Sequence, residues 1–273
     1  MGTKKYKLTD ETMTIYGRTL YRIEALRDFS DVKKGDKGGY IEKEENLSQN
    51  GDCWVYHNAV VCGDAEVYDD AKVFEDARIY GKARVLDNAR VFDYAKVYGN
   101  AVIYGDAKVY CNANVYGNAK VYCNAKVYGN AMVYGNAKVY EDARIYGNTK
   151  VYHNAAVCGD AVVYCDAKAY GNAVVYDNAK VFEDAEVYGN AEVFGNAEIR
   201  GNAEIASNSD YIVFKNWWSS GRYFTWTRSN NMWKVGCFYG TSNELIEKAY
   251  RDSNDSGKEY EKIVKYVESI LKD

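Results

Sequence analysis

The chain of 273 residues carries two histidines and seven cysteines, so its means for acid–base, nucleophilic or metal chemistry are few. Histidine is the side chain best suited to proton transfer near neutral pH. His57 and His153 both replace the corner glycine of a six-residue repeat, but more than five 18-residue rungs apart and on different sides. They cannot cooperate within one subunit. His153 interrupts a column otherwise filled by glycine (Gly63 to Gly135, Gly171, Gly189) and is the better candidate for a general base. Cys111, Cys123 and Cys165 also sit at corners, with no CxxC pair or His–Cys pair beside them. They read as reduced thiols of a cytoplasmic protein. Asp69 and Asp87 stack one rung apart without a third ligand, so no cation site is expected. There is no phosphate-binding glycine loop, GxSxG or zinc motif.

Binding chemistry is better represented. Residues 18 apart share a column, and one column holds Lys72, Arg90, Lys108, Lys126, Arg144 and Lys180, interrupted by Val162. Beside it run Phe74, Phe92, Tyr110, Tyr128, Tyr146, Tyr164 and Phe182, and a second aromatic column has Tyr at every rung from Tyr80 to Tyr188. Stacked rings beside cations form a flat platform for a macromolecule, and they also stabilise a sheet. The net charge of −4 argues against a general nucleic-acid binder. A protein partner or self-association is the expectation. Glu186, Glu192, Glu198 and Glu204 take the lysine position in the last units, where they add solubility or form a docking surface for a basic partner.

These columns presuppose a repeat without slips. From Val55 to Ile205 an aliphatic residue or Ala169 appears at every sixth position, and two residues before them runs a series that is Ala from Ala59 to Ala203 except for Thr149. An aromatic usually follows, then a corner pair, as in Ala125 to Asn130 (Ala-Lys-Val-Tyr-Gly-Asn). Side chains alternate along a strand, so Ala and Val share one face, and Lys and Tyr the other. Gly and Asn both tolerate positive φ and mark the bends. Three such sides give an 18-residue coil. Val and Ala can fill its narrow interior, whereas three tyrosines per coil could not. The chain has no proline although 28 of its residues are tyrosine. A backbone ladder running through most of the molecule accounts for that, since proline has no N–H to donate.

The unit resembles the hexapeptide-repeat left-handed parallel β-helix family, in which an aliphatic residue follows a small one by two places. The resemblance covers residues 53–206. It implies a mainly β protein: a left-handed triangular parallel β-helix of about eight coils, the handedness resting on the resemblance alone. Residues 1–52 are expected as an N-terminal β cap, with a hairpin from Met13 to Ile23 around Gly17. That lead-in looks like those of bacterial and phage-borne repeat proteins labelled as acyltransferases. Residues 207–273 read as an α+β module of three strands and two helices, with capping boxes at Thr241/Glu244 and Ser256/Glu259. Trp226 and Trp233 are expected in its core, while Trp217 and Trp218 lie either in the core or on a partner-binding loop.

The leading expectation is a non-catalytic binding or scaffold protein without a cofactor. Its surface residues are Lys72, Arg90, Lys108, Tyr110, Lys126, Tyr128, Arg144, Tyr146, Trp217 and Trp218. The resemblance adds a phage-borne modulator of a bacterial host protein, working in the host cytoplasm. The first alternative is an acyltransferase using a CoA-type donor at a trimer interface, with His153 as base. The second is a structural protein that self-assembles into a homo-oligomer. No apolar run approaches the ~18 residues of a membrane span, and the start has no apolar core of a secretory signal.

Overall fold

A computed structural model of the protein describes residues 4–216 and 221–271. Strands β1 (Tyr6–Ile15) and β2 (Arg18–Ala25) form the N-terminal hairpin, turning at Tyr16 and Gly17 with φ of 52° and 73°. Two consecutive positive φ angles match the twist of a tight hairpin. Strand β3 (Lys37–Ile41) pairs antiparallel with β2 and parallel with the repeat through Tyr40↔Val60 and Ile41↔Val61. Leu47 bridges Val67 in the same parallel sense. The ladder therefore begins before Cys53, and the solenoid has about nine turns.

Twenty-six two-residue strands follow, from Trp54–Val55 to Glu204–Ile205. Each pairs in parallel with the strand 18 residues away, giving three flat sheets. Face one carries Lys72, Arg90 and Lys108, face two carries Arg78 and Lys96, and face three carries Arg84 and Lys120. Every repeat alanine from Ala59 to Ala203 and every repeat aliphatic from Val55 to Ile205 is buried in one continuous core. Thr149, the sole polar residue in the alanine series, satisfies its hydroxyl by donating to the Tyr146 carbonyl at 2.7 Å. A buried hydroxyl without such a partner would cost a few kcal/mol.

The corners explain both glycine and its replacements. All corner residues from His57 to Gly201 have positive φ, and those that are not glycine lie between 51° and 61°. The amide of a corner residue makes no ladder bond, because the ladder uses its neighbours, as in Tyr98 N–H to Val115 and Asn100 N–H to Gly117. An acidic residue one rung earlier accepts from it instead. Asp87 accepts from Gly105 at 3.0 Å, Asp93 from Cys111 at 2.9 Å and Glu183 from Gly201 at 3.0 Å. Local hydrogen bonding thus offsets the strain of a left-handed acidic residue.

The C-terminal module has four antiparallel strands, Tyr211–Lys215, Tyr223–Thr227, Met232–Val235 and Phe238–Gly240. The expected third strand is broken into a hairpin, because Gly236 turns the chain at φ 55°. Helices α1 (Ser242–Asp252) and α2 (Asn254–Ile270) pack on this sheet. Thr241 and Glu244 form the expected capping box. Helix α2 instead starts one turn early, with Ser253 as its cap accepting from Ser256 N–H. Trp226 and Trp233 join Phe224, Leu245, Val264 and Val267 in a second core, separate from that of the solenoid. Ile270 and Leu271, at the end of the last helix, are exposed.

Gly117→Val tests the corner rule. Its Cβ would sit 3.0 Å from the Gly135 amide nitrogen at φ 72°, and a β-branched residue is a genuine outlier there. A loss of about 2 kcal/mol is expected from such strain, read as a lower midpoint in chemical denaturation.

Candidate functional site

Because strands pair in exact 18-residue register, like residues stack. On face two, ring centroids from Tyr80 to Tyr188 lie 4.8–5.2 Å apart with interplanar angles of 9° or less. On face one a similar ladder runs from Phe92 through Tyr110, Tyr128, Tyr146 and Tyr164 to Phe182 at 4.7–5.1 Å. The rings are half-buried by their neighbours, and burial pushes the Tyr164 phenol up to about 12. An asparagine ladder, read from sequence only as a bend signal, passes a hydrogen bond upward from Asn100 through Asn118, Asn136, Asn154 and Asn172 to Asn190 at 2.9–3.0 Å.

The basic column is not uniform. Lys72 is held at 2.6 Å by Asp31 from the N-terminal segment, and Lys180 at 2.9 Å by Glu198 one rung on. Arg90, Lys108, Lys126 and Arg144 stand in direct register, with no ion pair to any described residue. Tyr110, Tyr128 and Tyr146 lie beside them in the face-one ladder. Trp217 and Trp218 lie outside the described residues.

Nothing comparable surrounds the histidines. His153 is exposed and edge-on to Tyr152, with ring centroids 4.8 Å apart. His57, at a different corner, accepts from the Glu75 amide at 3.4 Å. Asp69 and Asp87 point their carboxylates at corner amides, and no group of three or more potential metal ligands occurs among the described residues. The cysteines of the described residues are all free thiols. The late glutamates are engaged within the chain: Glu186 with Lys168 at 2.6 Å, Glu198 with Lys180 and with Lys234 at 2.8 Å.

The two ends of the solenoid are capped by side chains, which the repeat alone did not reveal. The residue before each aliphatic donates its N–H to the next rung, so on the last rung the amides of Glu192, Glu198 and Glu204 have no ladder partner. Side chains that follow the repeat cap all three faces. Asn208 accepts from Glu192 at 2.7 Å, Thr225 from Glu198 at 3.0 Å and Ser229 from Glu204 at 2.7 Å. Arg200 is clasped between Phe182 and Tyr239, so the module is docked on the last coil. At the first rung the need is for donors. The fully buried Lys5 ammonium reaches the carbonyls of Asn50, Gly51 and Cys53 at 3.3, 3.2 and 2.8 Å. Burial draws its pKa below the ordinary lysine value, with Cys53 working against that.

A parallel β-solenoid with an 18-residue turn, small and aliphatic residues inside and no loop leaving the repeat defines the class. The chain fits a hexapeptide-repeat β-helix family. A family model described as the YdcK beta solenoid repeat matches residues 125–141. The chain is also similar to a protein of Escherichia coli (strain K12) named "Uncharacterized acetyltransferase YdcK", at 38% identity over 66 residues. That similarity covers 21% of this chain and 20% of the relative, about a fifth of each. No helix among the described residues is long and apolar enough to cross a membrane.

Two measurements test these contacts. Thr225→Val should leave the Glu198 amide without its acceptor, speeding its hydrogen exchange and costing about 1–3 kcal/mol. Asp31 gives a pH test. Burial raises its carboxyl, but hydrogen bonds from Lys72 and Tyr56 outweigh that and hold it at about 2. A depressed folded-state pKa adds stability that is complete above the unfolded value and lost as pH falls through the folded one. Thermal stability should therefore decline from about pH 4 down to about 2, and Asp31→Asn should flatten that decline.

Proposed function

We propose that the protein is a non-catalytic β-helical binding protein whose face one docks an acidic surface of a protein partner. The observation that carries this reading is the in-register run of Arg90, Lys108, Lys126 and Arg144 without counter-ions. Strands lie ~4.8 Å apart, and two like charges at that spacing repel by about 1 kcal/mol even in bulk water. A column of four costs the free protein stability and is repaid only when anions arrive. Tyr110, Tyr128 and Tyr146 supply ring edges and hydroxyls beside it, and tyrosine is favoured at protein interfaces. The lead-in of the chain supports a phage-borne setting, with a bacterial host protein as the partner in the host cytoplasm.

A second reading is acyl transfer, favoured by the printed name of the E. coli relative. His153 would be its base and a CoA-type thioester its donor, at an interface between copies. A trimer that turns over acetyl-CoA and loses turnover with His153→Ala would displace the binding reading.

For the leading reading, Lys108→Gln with Lys126→Gln should raise the thermal midpoint of the free protein, because the three neighbouring repulsions of the column are relieved. The same change should weaken partner capture about tenfold or more and flatten its salt dependence. Unchanged capture from bacterial lysate would leave the column as surface charge alone.

A further inference from the structure

The docked C-terminal module overhangs the far end of face one, and beneath it lies a cleft of about 530 Å³. Its floor is Val162, in direct register between Arg144 and Lys180. From Lys72 to Glu198 this is the one uncharged position of the column, so the interruption falls under the overhang. A lysine there would fill the floor with its stem, whereas valine leaves a shallow apolar surface between two cations. Tyr223 lines the same cleft from the module side.

The charge of the lining is lopsided in a protein whose net charge is −4. Arg144, Lys180, Arg222 and Lys234 face two carboxylates, Asp160 and Glu198. Glu198 alone bridges Lys180 at 2.9 Å and Lys234 at 2.8 Å, one carboxylate serving two ammonium groups. Arg144 has no ion pair to any described residue. Arg144 thus stands beside the apolar floor without a carboxylate of its own. A planar guanidinium fork can meet two phosphate oxygens with parallel hydrogen bonds.

We propose that this cleft binds a small phosphate monoester, its phosphoryl group between Arg144 and Lys180 and its organic body over Val162 against Tyr223. The site shares Arg144 with the partner surface proposed above, on which it rests at that one residue, but Lys108 and Lys126 do not line it.

Titration calorimetry with phenyl phosphate and with inorganic phosphate, at one low ionic strength, tests the assignment on the full chain. Phenyl phosphate should bind more tightly than inorganic phosphate, because only it has a body to lay on the floor. Arg144→Gln should weaken both about tenfold, the loss of one charge-assisted contact. Glu198→Gln should tighten both by removing the competing carboxylate. Val162→Lys, which restores the column's basic residue, should abolish the advantage of phenyl phosphate and keep inorganic phosphate binding. Lys138→Gln, on face three, should change nothing. Equal affinities for the two probes, or equal losses with Arg144→Gln and Lys138→Gln, would reduce the cleft to diffuse attraction and overturn the proposal. Unchanged partner capture by the Lys108→Gln, Lys126→Gln protein, with phenyl phosphate binding retained, would count against the column alone.

Discussion

Everything in this molecule depends on one hydrogen-bond ladder. In a parallel stack each rung exchanges bonds with both neighbours, the outward residues donating N–H groups to the following rung and the aliphatic residues to the preceding one. Inside the stack the ladder satisfies the strand residues, and proline has no place in it. At the ends the account does not close. Bare backbone groups remain at both terminal rungs, and burying them unpaired is expensive. The two terminal segments meet different sets of these groups. The first brings donors, including the Lys5 ammonium and the backbone amides of Tyr40, Glu42 and Ser48. The last brings acceptors on Asn208, Thr225 and Ser229 for the amides, and the Tyr211 hydroxyl as a donor to the Glu192 carbonyl. Docking of the C-terminal module is thus part of finishing the solenoid, as solenoid caps generally are.

The same register multiplies whatever each position contributes. A tyrosine repeated down a column becomes a stack of rings, and an asparagine becomes a chain of amide hydrogen bonds, both favourable in every step. A lysine repeated in the same way accumulates repulsion. The chain relieves this at the two extremes of face one, through Asp31 against Lys72 and Glu198 against Lys180. Between them Arg90, Lys108, Lys126 and Arg144 are left unrelieved. Where a repeat offers so many ways to soften a charge column, as Asn114, Met132 and Val102 do on the other faces, an unsoftened stretch is the informative one.

Legibility from the sequence follows the same division. The solenoid, its interior residues and its columns could be read because their contacts recur at a constant spacing of 18 residues. The module was less readable where contacts are local and competing. Trp233 to Phe238 alternates well enough to look like one strand, and only the positive φ of Gly236 divides it. Ser256 with Glu259 has the form of a capping box, but Ser253 captures the helix start one turn earlier. The terminal caps were illegible for a different reason: each joins a residue of irregular sequence to a single rung, so no period announces it. Cys53 and Lys5 carried no signal that a buried ammonium would meet carbonyls there.

A structure this regular has few places where chemistry can be particular, because any site within the repeat is copied at the next rung. Discrimination therefore has to come from departures. Thr149 is a departure answered internally by the Tyr146 carbonyl, and the acidic corners are answered by the amide one rung on. His153 and Val162 are departures of another kind, since no described residue forms a polar partner for the former and the latter removes a cation. Only Val162 lies where a second, non-repeating surface comes close, under Tyr223 and Lys234. That coincidence, a broken column beneath the one module that does not repeat, makes the cleft the most distinctive chemical environment on the solenoid, while His153 stands alone at an exposed corner.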